Sequence, residues 1–201
     1  DVVAFQQKIA DIEKELGLIN ILEVSSKSKN KLGVDLSAFN LEINDKNKKY
    51  SVECAFQGSK VFENGGPFLD IFNKTSREAK KDERLTSSGN LIGFNFYHTS
   101  WGLTPPTAFY DWLYINTLNS HKELHSDLLN YNAFTDIEFN PKKSLNCQAY
   151  SVAMFVSIYK RNLINLIKKP NSFLKLYSGC QYSKLDIVVT PLSFAIIENI
   201  L

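Results

Sequence analysis

Apolar residues in this chain recur at helical spacing along most of its length, and the few runs that read as strands are short and not adjacent. That mixture favours an α+β domain in which helices dominate around a small β-sheet. Phe5, Ile9, Ile12 and Leu16 mark a helix over residues 4–16, with Gly17 to end it. Residues 19–24 are apolar and β-branched and read as a strand, followed by a polar, Lys-rich loop over 25–33. Residues 36–43 read as a second strand and 44–49 as a turn. Residues 52–62 read as a helix capped by Ser51, with Glu53 in the first turn where the helix dipole favours an anion. Asn64-Gly65-Gly66-Pro67 breaks the pattern, and Thr75-Ser76-Arg77-Glu78 opens a short, well-capped helix. A strand is expected over 91–97, an aromatic-rich helix over 107–118, a short helix over 121–129 and a loop over 134–143. The longest helix is expected over 144–167.

No linker, repeat or low-complexity tract divides the 201 residues, so one domain is expected. Its parts are an N-terminal helix within residues 1–18, a folded domain over 19–177 and a tail over 178–201 with no role assigned. With 44% apolar and 22% charged residues, the chain has a globular composition. A net charge of +2 excludes a polybasic nucleic-acid coat but not a local basic site. The longest apolar stretch, 185–201, is interrupted by Asp186, Pro191 and Glu198, so no membrane-spanning helix is expected. The N-terminus shows no signal-peptide pattern. Cys54, Cys147 and Cys180 form no CxxC pair and no zinc spacing, which fits a reducing, cytoplasmic setting. His121 and His125 are spaced i,i+4 without the Glu of a zinc-protease helix, so they read as solvated helix residues, and no metal or cofactor is expected.

Four polar clusters stand out: Ser25-Ser26-Lys27-Ser28 after the first strand; Glu53, Gln57 and Lys60; Phe134-Thr135-Asp136; and Asn146-Cys147-Gln148 at the head of the longest helix. If residues 52–62 are one helix, Glu53, Gln57 and Lys60 share a face. A carboxylate can stabilise positive charge, an amide can orient a substrate, and an amine can bind anions or, when neutral, act as a nucleophile. Each cluster also has a plain alternative. The helical trio reads equally as a solvated face, Lys27 as part of a surface turn, and Asp136 and Asn146 as caps. The run Phe109, Tyr110, Trp112 and Tyr114 reads as core before it reads as a base-stacking platform.

In order along the chain, Leu36-Ser37-Ala38-Phe39-Asn40, Tyr50-Ser51-Val52-Glu53-Cys54-Ala55-Phe56-Gln57-Gly58-Ser59-Lys60 and Thr75-Ser76-Arg77-Glu78-Ala79-Lys80-Lys81 resemble the NADAR superfamily. Its pattern is a Ser-Asn-Phe strand, a helix with Glu-His-x-x-Gln-Ala-x-Lys, and a Ser-Pro-x-x-Ala-Lys segment. Phe56 to Pro67, Ala108 to Ile115 and Phe134 to Lys143 resemble more narrowly the NADAR antitoxins encoded beside DNA ADP-ribosyltransferase toxins. The resemblance implies an N-glycosidase that removes ADP-ribose from guanine in DNA. ADP-ribosylated DNA, ADP-ribose and the cognate toxin are then the expected partners. It also implies roles. Glu53 stabilises charge at the anomeric carbon, Lys27 (the better match) or Lys60 captures the opened ribose as a Schiff base, and Asp136 assists the water or holds ribose hydroxyls. Gln57, Arg77, Lys80 and Asn146 are expected at the ligand, with Phe39 or Trp101 stacked on a base. Two departures from the pattern are visible. Cys54 replaces the family's His, and Ala38 replaces its Asn, which is displaced to Asn40 or lost. A hydrolase of small ADP-ribose or ribityl-type metabolites, and a non-catalytic ADP-ribose-binding module, remain as alternative readings.

Overall fold

The computed structural model describes residues 20–46, 48–140, 144–177, 187–190 and 194–197. The helix expected over residues 4–16 lies outside them. The architecture is α+β. Its largest sheet has four strands in the order β1 (Ile21–Glu23), β7 (Ala133–Thr135), β9 (Phe194–Ile197) and β8 (Ile187–Thr190). β1 and β7 run parallel, with Leu22 opposite Phe134 and Glu23 opposite Thr135. β9 is antiparallel to both β7 and β8, so residues from the 178–201 tail complete the sheet. The register continues past the strand end, where the Val24 amide donates to the Thr135 carbonyl at 2.7 Å. The chain therefore leaves both parallel strands at the same edge, and the loops 25–28 and 136–138 emerge side by side.

Helix α5 (Ala108–Ser120) packs against α7 (Gln148–Lys160) and α2 (Val52–Gly58). It buries residues on every side, Phe109, Tyr110, Leu113, Tyr114, Ile115 and Leu118 among them, which marks an enclosed central helix. Fully burying a ring such as Phe109 contributes about 2 kcal/mol. Phe56, Phe94, Phe96, Phe109, Trp101 and Trp112 form one continuous aromatic cluster, so the aromatic run of α5 is core. Inside it, Asp111 accepts from Ser151 at 2.6 Å and from the Tyr177 hydroxyl at 2.7 Å, which ties α5 to α7 and to residues beyond it. No helix among the described residues is long and apolar enough to cross a membrane.

Several expected elements change. The helix expected over 52–62 stops at Gly58, and Lys60–Phe62 forms β4, which pairs with β5 (Leu91–Phe96). The ladder outcompetes helix continuation because Gly58 is a poor helix residue and Val61 and Phe62 suit a strand. β6 (Thr99–Trp101) completes that sheet. In place of a strand over 36–43, a short helix α1 (Lys31–Asp35), capped by Asn30, leads into turns through Leu41. The strand β2 (Glu42–Asp45) then pairs with β3 (Lys48–Ser51). Leu36, Ala38 and Leu41 are buried from those turns, so their apolar spacing served packing and not a ladder. α7 begins at Gln148 and not at residue 144, and ends at Lys160, where Asn162 takes a positive φ of 56°. His125 is not solvated. It is 5% exposed, lies against Phe155 and Tyr159, and reaches the Leu118 carbonyl at 3.0 Å.

Gly33 decides how closely α1 approaches the sheet. A Cβ there would meet the Glu23 carbonyl at 1.9 Å and the Ser28 hydroxyl at 2.6 Å. Backbone on one side and the 25–28 loop on the other leave no soft neighbour to yield. Gly33→Ala should therefore destabilise the protein by about 2 kcal/mol or more, read as a lowered midpoint in urea.

Candidate functional site

Helix α2 carries the centre of the site. Its N-cap Ser51 accepts from the Cys54 amide at 3.1 Å. The Ser76 hydroxyl gives its proton to the Phe39 carbonyl at 2.8 Å, so the Ser51 hydroxyl is the donor in its 2.7 Å bond to Ser76. This joins α2 to α3 (Ser76–Lys80), whose own start is fixed by a capping box between Thr75 and Glu78. Glu53 is 7% exposed. Gln57 Nε2 donates to Glu53 Oε1 at 2.9 Å, while the Gln57 carbonyl oxygen is buried with no partner among the described residues. That leaves an acceptor beside the carboxylate for a ligand donor.

Main chain and one side chain connect Glu53 to Asp136. The Glu53 amide donates to the Ala38 carbonyl at 2.9 Å, and the Ala38 amide donates to Gln148 Oε1 at 2.8 Å. The same Gln148 side chain hydrogen-bonds Asp136. Asp136 is 4% exposed and also accepts from the Glu138 amide at 3.0 Å. Burial pushes its carboxyl up to about 6, and the Glu138 charge adds to the rise against the lowering effect of those hydrogen bonds. A carboxyl near 6 can accept or give a proton at neutral pH. Tyr110 lies within electrostatic reach of Glu53, Asp136 and Cys147, and burial holds its hydroxyl protonated. Burial also pushes the Cys147 thiol up to about 12, which makes it a poor nucleophile.

The two lysines differ sharply. Although on β4 and not on the helix, Lys60 is half-buried with Nζ 4.9 Å from the Phe56 ring centre. Burial lowers its pKa, the Glu53 charge opposes that, and the Lys80 charge adds to the fall. Lys27 has a side chain 73% exposed and pairs with Glu138 at 2.8 Å.

The remaining candidates divide. Lys80 stands 5.4 Å from the Phe39 ring and within electrostatic reach of Lys60 and Glu138, so Phe39 and Lys80 join the cluster. Arg77 instead lines an open groove of about 790 Å³ shared with Asp70, Lys74, Lys81 and Arg84. Charges in that groove largely satisfy one another. Arg84 bonds Asp70 at 2.6 Å and Asp82 at 2.8 Å, and Lys74 bonds Asp82 at 2.6 Å. The groove is thus largely an ion-pair network. Asn40 is spent on its own turn, donating to the Val34 carbonyl at 2.9 Å. Trp101 is not at the cluster; it packs 5.1 Å from Trp112 and 5.7 Å from Phe109. Asn146 is half-buried just before α7, where Cys147 holds the cap position without a side-chain bond. Glu138 and Gln148 were missed as site residues. Both stood inside or beside singled-out clusters, and only their partners across the fold distinguish them. Among the described residues no group of three or more metal-ligating side chains comes together.

No curated protein matches the chain. The family of DarT1-associated NADAR antitoxins matches residues 4–186. The match takes in every residue of the cluster, and the chain belongs to the family of DarT1-associated NADAR antitoxins.

Proposed function

We propose that the protein is an N-glycosidase that removes ADP-ribose from guanine in DNA and so reverses the modification made by a cognate DNA ADP-ribosyltransferase toxin. The observation that carries this reading is one buried constellation: Glu53 oriented by Gln57, the desolvated Lys60 amine beside it, and Asp136 with its carboxyl near 6. A hydrolase that cleaves an N-glycosidic bond through a Schiff base can use all three: a carboxylate to oppose charge, an amine to capture the sugar and a base for water.

The bond to be broken joins the anomeric carbon of ribose to a guanine nitrogen. As guanine departs with the bonding pair, positive charge develops on the sugar. Glu53 is held with its carboxylate inside the site and opposes that charge in a low-dielectric setting. In its neutral form, which burial favours, the Lys60 amine adds to the anomeric carbon, and a proton passes from that nitrogen to the ring oxygen as the ring opens, leaving a protonated Schiff base. Asp136 takes a proton from water and the hydroxide adds to the imine carbon. The adduct then collapses as its hydroxyl proton passes to the nitrogen, returning the neutral amine and free ADP-ribose. The proton held by Asp136 is lost to solvent, from which the departed guanine nitrogen regains one. Lys60 suits this step better than Lys27. Its amine is desolvated, whereas the Lys27 ammonium is solvent-exposed and neutralised by Glu138. The free Gln57 carbonyl would accept from a ribose hydroxyl, and Lys80 over Phe39 lines an approach for the diphosphate.

Three results are expected. With guanine-ADP-ribosylated DNA, Glu53→Gln should slow ADP-ribose release by about 100-fold or more, with ADP-ribose binding retained. No release by the wild-type protein would remove the glycosidase reading. Borohydride should trap a covalent adduct with the wild type and Lys27→Ala but not with Lys60→Ala; the reverse pattern would move the Schiff base to Lys27. Asp136 must be deprotonated to act as base, so activity should fall below about pH 6, by about tenfold per unit at lower pH. Asp136→Asn should abolish that limb.

A further inference from the structure

Glu138 makes more connections between the two loops of the site than any residue so far given a role. Its Oε1 pairs with Lys27 Nζ at 2.8 Å, and its Oε2 accepts from the Ser26 hydroxyl at 2.9 Å. Its backbone amide donates to Asp136 Oδ1 at 3.0 Å. Between these bonds, Ile137 projects outward, 62% exposed. The Lys27 end is solvated, so the ion pair adds little to stability. Its geometric effect is larger, because it joins the loop after β1 to the loop after β7 at the residue whose amide bonds Asp136.

We propose that Glu138 is a positioning residue, whose carboxylate clasps Ser26 and Lys27 while its amide fixes the orientation of the Asp136 carboxyl. The proposal rests on the glycosidase reading and deepens it. Asp136 is faced by Tyr110 and Tyr114 from α5, by Cys147 from the start of α7, and by Glu138 on its own loop. Burial keeps the first three neutral, so Glu138 is the charged neighbour. Burial works against its own charge, yet Lys27 and Ser26 hold the Glu138 carboxyl below the usual range, so it is ionised wherever Asp136 titrates. Lys80 reaches it as well.

Charge and clasp are separated by two variants. Glu138→Gln keeps the shape and removes the charge. The acid limb of the pH–rate profile should then move down by roughly half a pH unit. Glu138→Ala removes the clasp, and kcat should fall by about tenfold or more with KM little changed. Carbon-13 NMR of the Asp136 carboxyl, assigned with Asp136→Asn, gives the same titration without turnover and should show the same downward shift in Glu138→Gln. An unmoved NMR midpoint in Glu138→Gln overturns the proposal, as does full kcat in Glu138→Ala or a loss matched by a lowered thermal midpoint. If the wild type releases no ADP-ribose, the glycosidase reading fails and the reaction role of Glu138 with it; the NMR midpoint still decides whether Glu138 sets the state of Asp136.

Discussion

Parallel pairing of β1 with β7 is the constraint on which the site depends. Parallel strands end at the same edge, so the segments that follow them must emerge together. That is how residues 25–28 and 136–138, more than 100 positions apart in the chain, come within hydrogen-bond reach. The crossover between the strands then carries α2, α3 and α5 to the same region. Gln148, at the start of α7, closes the arrangement by holding Ala38 with its carbonyl while its side chain also bonds Asp136. Disturbing the strand pairing would therefore separate Asp136 from Glu53, even with every side chain still present.

Much of this was legible from local chemistry. Ser51 as a cap, Glu53 in the first turn, the Thr75/Glu78 capping box and α5 all follow from short-range rules, and the structure keeps them. The four polar clusters were legible as clusters. Their convergence was not, because periodicity says nothing about which strands pair. The failures share one cause. At Lys60 a strand partner 34 residues away decided between helix and ladder, and at Leu36 to Leu41 tertiary burial used an alternating pattern without a strand. Arg77 and Lys80 could not be told apart by sequence. They lie three positions apart on one short helix, yet one faces the ion-pair groove and the other the site.

The position of Cys54 shows how a departure from the family pattern fits the physics of the site. The resemblance places a His there, a ring able to exchange protons near neutral pH. Cys54 is instead buried, and its thiol donates to the Lys74 carbonyl at 3.1 Å, so it serves the junction between α2 and the segment before α3. In the proposed mechanism the proton chemistry therefore falls to another element. Burial has raised the Asp136 carboxyl to about 6, and it reaches the same Tyr110 that Glu53 does. Within that mechanism two acids divide one task by environment: the one on the helix N-terminus, bonded to Gln57, opposes the charge on the sugar, and the one shielded between two loops exchanges protons. The division also explains why the second acid has to be held by neighbouring amides. A carboxyl near 6 is half neutral at that pH, so charge alone cannot keep it oriented, and hydrogen bonds from Glu138 and Gln148 supply what an ion pair would otherwise provide.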